Sequence, residues 1–177
     1  MSVTTVPSVT TTPATVTATT DTSPSPRTLI PAPAAARGRR SRDDDARWGE
    51  LIDAVQEAGR YPTRAEAERV TRIVLSALGG HVIGDERVDL AQVLPEQAAR
   101  VVASQIPATR QLSAAEFVDS VAARIEGATS ATARWDVSSV LSVLPKLVGD
   151  DLVTRILAQL PAGYALLFGR ADLNPAP

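Results

Sequence analysis

Apolar residues recur at helical spacing along most of the chain beyond residue 43, and no stretch shows the strict alternation that marks a strand. Asp43-Asp44-Asp45 suits a helix start, because carboxylates accept from first-turn amides and oppose the helix dipole. Trp48, Leu51, Ile52 and Val55 then share a face up to Gly59, and Tyr61-Pro62 breaks the chain. Thr63-Arg64-Ala65-Glu66 is a capping-box pattern opening a helix through Val70, Ile73, Val74, Ala77 and Leu78. Gly79-Gly80 is expected to end it. Asp85-Glu86 starts a short helix bearing Val88, Leu90 and Ala91, and Pro95 opens the next at a first-turn position, through Ala98, Val101 and Val102. Ile106-Pro107 closes the unit. Ser113-Ala114-Ala115-Glu116 is a second capping box, before Phe117, Val121 and Ile125, with Gly127 as the stop. The pattern then predicts a helix from about Thr132 to Leu144, a break at Pro145, and an acidic start at Asp150-Asp151 before Leu152, Ile156 and Leu160. Pro161 opens a last helix through Tyr164, Leu167 and Phe168, and Gly169 follows. The fold class is all-α.

Part of this pattern occurs twice. Val74-Leu75-Ser76-Ala77-Leu78 returns as Val140-Leu141-Ser142-Val143-Leu144, and a slide of 66 positions also brings Val82 onto Val148, Asp85 onto Asp151 and Leu94-Pro95 onto Leu160-Pro161. Eight of the 22 positions from 74 to 95 are identical, without a gap. A period of this kind marks one helical unit used twice, each supplying the face that the other buries. Proline disfavours helical geometry at the residue before it, while its own φ suits a new helix. Leu94-Pro95 and Leu160-Pro161 are therefore read as structural corners, with each leucine a core plug between two helices. The expected architecture is a compact helical bundle of two pseudo-repeated units in a single domain over residues 43–173. Repeat one covers about 63–106, a linking helix 113–127 and repeat two about 130–169, with one extra helix in front.

The chain has 177 residues, 44% of them apolar but only 3% aromatic, so the interior must be built from Ala, Val, Leu and Ile. A net charge of −2 gives no global attraction to nucleic acid or an anionic membrane. The absence of cysteine excludes disulfides, thiolate metal sites and thiol nucleophiles. No apolar run is long enough for a membrane span, and the first residues lack the basic and apolar regions of a secretory signal, so a cytoplasmic address is expected. Residues 1–42 are rich in Thr, Ser, Pro and Ala, with prolines at 7, 13, 24, 26, 31 and 33. Such a segment buries too little apolar surface to offset its ordering entropy and is expected to be a disordered leader. A disordered end is expected at 174–177.

The corners carry a resemblance. A helix ending in Val-Leu-x-x-Leu, a short acidic-started helix, and then Leu90-Ala91-Gln92-Val93-Leu94-Pro95 or Leu157-Ala158-Gln159-Leu160-Pro161 resembles the bacterial family called domain of unknown function 2267. The intervening helix with Glu116-Phe117 is similar to the family's central one. The resemblance covers roughly residues 63–172. It implies an all-helical fold without an established activity, and so no catalytic residues.

Candidate chemistry is sparse. His81 is the only histidine and its counterpart is Leu147, so it reads as structural; without cysteine it makes neither a metal site nor a Cys/His pair. Gly79-Gly80-His81-Val82-Ile83-Gly84 follows a helix rather than a strand, and Asp85 stands where a phosphate loop needs lysine. The consecutive Asp43, Asp44 and Asp45 cannot converge on one cation without a dedicated loop. Arg37, Arg39, Arg40 and Arg42 are the strongest local signal: on a flexible arm they could neutralise phosphates without reading sequence. Adjacent aspartates oppose that field, and no aromatic residue in the cluster can stack on bases. Trp48 and Trp135 are expected as core or core-edge anchors. Trp135 stands where repeat one has Arg69, an asymmetry that can mark a binding surface. The expected function is a non-catalytic interaction or scaffold module for another protein, tethered by the leader, with no cofactor and no metal. The alternatives are an accessory nucleic-acid binder acting through Arg37 to Arg42, and a helical domain that binds a small molecule between the repeats.

Overall fold

In a computed structural model of the chain, residues 34–170 are described, with side chains from Gly38 onward. Nine helices follow one another among the described residues: α1 (Ala34–Gly59), α2 (Arg64–His81), α3 (Gly84–Val93), α4 (Glu96–Ala103), α5 (Ala114–Ala122), α6 (Ser130–Leu141), α7 (Leu144–Val148), α8 (Asp150–Gln159) and α9 (Tyr164–Leu167). No strand occurs among them, as the hydrophobic pattern predicts. The expected leader up to residue 33 and the expected end at 174–177 lie outside the described residues.

The 66-residue shift governs more of the chain than its identities do. Helices α2 and α6 start at Arg64 and Ser130, while α3 and α8 correspond at both ends, Gly84 with Asp150 and Val93 with Gln159. The caps repeat too. Thr63 and Thr129 each accept from the amide three residues on, both at 3.2 Å. Leu94 and Leu160 terminate α3 and α8 in extended geometry, with ψ of 152° and 150°, and both are buried. The two Leu-Pro corners are thus one feature built twice, although Pro95 caps α4 instead of entering its first turn.

The shift also brings α5 onto the second half of α1. Phe117, Val118 and Val121 fall on Leu51, Ile52 and Val55, and all six are buried. The helix expected as an extra in front and the one expected as a linker are therefore the opening helices of the two repeats. Packing follows the same rule: α1 lies on α2 and α6, α5 on α6 and α2, α2 meets α6, and α3 meets α8. Asp89 and Arg155, a pair of equivalent positions, meet across that last contact at 2.5 Å.

Several boundaries differ from the sequence reading. Helix α1 begins at Ala34 rather than Asp43, because Ala34-Ala35-Ala36 and the arginines after them are strong helix formers. Its aspartates lie in the helix interior, where Asp43 and Asp44 follow Arg39 and Arg40 at i,i+4 spacing. Helix α5 ends at Ala122 and turns carry the chain on to Gly127, which adopts φ of +72°. Helix α9 is a single turn that starts at Tyr164, not at Pro161, because Gly163 is left-handed at φ +96°.

Gly79-Gly80 does not end α2, which continues to His81. The reason is close approach: a Cβ on Gly79 would lie 2.7 Å from the Val102 carbonyl oxygen and 2.9 Å from its Cα, so the glycine admits the α4 backbone. Repeat two has Pro145 at this position. Proline cannot donate to the Leu141 carbonyl and its ring crowds that turn, and α6 accordingly stops at Leu141. Pro145 then sits in the first turn of α7 rather than in a plain break.

Gly79→Ala should therefore destabilise the fold by about 1–3 kcal/mol, the usual cost of overpacking. Gly80→Ala has its nearest neighbour at 3.6 Å and should be neutral or gain up to about 1 kcal/mol from helix propensity. Urea denaturation of the two variants checks this, and equal effects would contradict the close-approach account.

Candidate functional site

Trp48 is 5% exposed and closes the place where α1 meets α2 and α4. Arg72 of α2 covers the indole, its Cζ 4.9 Å from the ring centroid, a cation–π geometry. Its Nη2 donates to Glu68 at 2.8 Å and to Gln97 of α4 at 2.9 Å, which fixes the guanidinium over the ring. Alongside, Arg64 pairs with Asp53 at 3.2 Å and lies over Gly49, where a Cβ would come 2.8 Å from its Nη2. In repeat one the indole is thus covered by one guanidinium group, with a second beside it.

Repeat two keeps the frame and replaces these side chains by small ones. Ala114 takes the position of Trp48, Ser130 that of Arg64, Ser138 that of Arg72 and Gly163 that of Gln97. Asp119 keeps the place of Asp53 and accepts from Ser130 Oγ at 2.6 Å, so this polar contact survives the loss of the guanidinium. The turn before α9 closes on Ala114, and a Cβ on Gly163 would lie 3.2 Å from the Ala114 Cβ. A groove of about 440 Å³ remains between α5, α6 and α9, lined by Ala114, Val118, Ala131, Arg134 and Leu166 among others. The packing of α1 on α4 has no counterpart of equal extent between α5 and α9. Leu166, on the groove, is 50% exposed. Arg134, at the position of Glu68, is exposed and forms no ion pair among the described residues.

Of the two tryptophans expected in the core or at its edge, Trp48 is buried and Trp135 lies outside the interior. It is 55% exposed, and its indole N–H donates to the Gly59 carbonyl at 3.1 Å. Its neighbour Asp136 accepts from the Tyr61 hydroxyl at 2.7 Å, so α6 grips the turn between α1 and α2. Burial first, then the Asp136 carboxylate, pushes the Tyr61 hydroxyl far above the ordinary tyrosine range.

His81 is buried at the end of α2, its ring edge-on to Phe117 at 5.7 Å, and Phe117 in turn meets Tyr164 at 5.3 Å. Gln111 donates from Nε2 to the His81 carbonyl at 2.9 Å. Burial drives the imidazole below its ordinary value of 6.5; the Gln111 side chain facing the ring opposes this and the Arg124 charge adds to it. The ring is an apolar filler with one polar edge, which explains the leucine at the equivalent position in repeat two.

Arg39, Arg40 and Arg42 are exposed on the first turns of α1, a helix in place of the expected flexible arm; the side chain of Arg37 lies outside the described residues. Arg42 Nε donates back to the Gly38 carbonyl at 3.2 Å. The neighbouring groove of about 570 Å³, between α1 and α4, carries Asp44, Asp45 and Glu96 together with Arg72 and Arg100. Its carboxylates break any continuous basic surface. Leu94, Pro95 and Leu160 are buried at the two corners, and Pro161 is half-buried. Among the described residues no group of three or more His, Asp or Glu side chains could hold a metal ion. No described helix is long and apolar enough to cross a membrane.

A histidine whose folded form resists protonation makes stability depend on pH in one direction. Below 6.5 the unfolded chain takes up a proton that the folded chain refuses, so acidification from pH 7 to 5 should lower stability. His81→Leu should lose less stability over the same interval, measured as the shift of the urea midpoint. An identical pH dependence in the two proteins would contradict this reading.

No curated protein matches the chain. The family model described as "Uncharacterized conserved protein (DUF2267)" matches residues 48–167, from Trp48 in α1 to Leu167 in α9. That span holds both repeats, with α5 and the second half of α1. It is well over half of the 177 residues, and the chain belongs to this family.

Proposed function

We propose that the protein is a non-catalytic interaction module, in which repeat one is the packed support and repeat two presents the binding surface to another protein. One observation carries this reading: Trp48, Arg64 and Arg72 of repeat one give way to Ala114, Ser130 and Ser138 in repeat two, where a groove leaves Leu166 half exposed. Apolar surface left unburied gives up stabilisation of about 25 cal/mol per Å², a cost that a binding surface explains. Exposed apolar area beside a lone cation is the usual make-up of a recognition surface. The cytoplasm is the setting we propose, because a cysteine-free chain suits a reducing compartment.

Photo-crosslinking in cells tests the reading. A photoreactive phenylalanine analogue at Leu166 should yield a discrete protein adduct, and the same analogue at the equivalent Arg100 of repeat one should yield little. No adduct at Leu166, or equal adducts at both positions, would contradict the proposal. An adduct with nucleic acid from Arg39 alone would favour the polyanion alternative instead.

A further inference from the structure

The linker between the repeats, residues 104–113 between α4 and α5, is held by polar contacts more than by packing. None of its residues is buried, and Leu112 is its one apolar side chain packed against the interior. Its anchors are carbonyls at the end of α2, groups that a helix leaves without partners of its own. The Ala108 amide donates to the Gly80 carbonyl at 2.7 Å, and Gln111 Nε2 donates to the His81 carbonyl at 2.9 Å. Further on, the Leu112 carbonyl accepts from the Tyr164 hydroxyl at 3.1 Å, which ties the linker to α9. We infer that residues 104–113 are a strap latched at His81, and that the strap lifts from α2 when the imidazole takes up a proton.

The latch is a pair of side chains buried together. His81 Nδ1 and Gln111 Oε1 are both shut off from water, and neither has a hydrogen-bond partner among the described residues. Gln111 therefore engages residue 81 twice, with its nitrogen on the carbonyl and its side chain facing the ring. A neutral imidazole suits this place, edge-on to Phe117. A charged one does not, because burial strips it of water.

The surrounding elements offer the charge no compensation. From α5 the Arg124 guanidinium acts on the ring with the same sign as a protonated imidazole. Glu116 of the same helix is engaged by Arg110 at 3.1 Å and by the Ser113 amide at 2.8 Å. The linker presents the neutral Gln111, and α9 presents Tyr164, whose hydroxyl burial keeps protonated. The last turn of α2 carries no acidic residue, and His81 forms no ion pair among the described residues. A protonated ring must reach water, and the strap that carries Gln111 has to move for it.

That movement is local. Exposed segments tied by a few hydrogen bonds open at free energies well below that of global unfolding. Lifting the strap also takes the Leu112 carbonyl from Tyr164, so acid loosens α9, whose neighbour Gly163 and own Leu166 line the groove. The device works in the same way whatever the groove binds.

Amide hydrogen exchange of the full chain, read residue by residue by NMR at pH 7 and pH 5.5 and corrected for intrinsic exchange, tests the inference. At pH 7 the Ala108 amide should be protected at least about tenfold less than the Val74 amide in the middle of α2, the mark of a local opening. A ring that titrates at 6.5 once released favours the lifted strap by at most about eightfold between the two pH values. Ala108 protection should accordingly fall by about three- to eightfold on acidification. His81→Leu should abolish that fall. Gln111→Ala should lower Ala108 protection at pH 7 by about two- to tenfold, the worth of one hydrogen bond. The inference is overturned if Ala108 and Val74 are equally protected, if Ala108 protection is the same at both pH values, or if His81→Leu keeps the fall. Should His81→Leu fail to fold, the first two comparisons decide, since both are made on the unaltered chain.

Discussion

Each opening helix of this protein is buried by both repeats together. Helix α1 lies across its own α2 and the α6 of the other repeat, and α5 does the reverse, so each unit's apolar stripe is covered in part by its twin. With so few aromatic residues, the interior is built of small aliphatic side chains, each of which contributes little alone. An interior of that kind is stable only when many side chains interdigitate at native density. That demand explains why the two units keep one register across α2 and α6, α3 and α8, and both Leu-Pro corners. It also explains why departures from the register fall at the edges.

Those edges are where the repeats diverge. Pro145 breaks a helix that Gly79 allows to run on, and Gly163 shortens α9 to one turn where α4 has eight residues. The shortened helix no longer seals against α5. At Ala114, the counterpart of Trp48, the turn at Gly163 closes in, and the groove lies beside that contact. The interaction surface proposed here is thus a by-product of local choices at the rim of a conserved frame, and the shared interior is left intact.

Much of this was legible in the chain. Helical periodicity, the Thr63 and Ser113 caps and the Leu-Pro corners each rest on local chemistry, and the structure keeps them. The limits are equally physical. Gly79 reads as a terminator because sequence shows no neighbour, whereas its role is to admit the Val102 backbone. Residues 34–42 read as leader because their proline-rich approach masks a run of good helix formers. Trp135 reads as core or core edge, and sequence alone cannot show that its N–H reaches the Gly59 carbonyl from the surface. The open groove had a signal that went unused: carrying the shift upstream of Thr63 sets Trp48 against Ala114.

The dependence of each repeat on the other is the claim on which the fold and the groove both rest. Circular dichroism of residues 34–112 and 113–177, prepared as separate fragments and then mixed, examines it most directly. Each fragment alone should show little cooperative helix, and mixing should restore a helical species with a single thermal transition. A fragment that melts cooperatively by itself, with no change on mixing, would contradict the account.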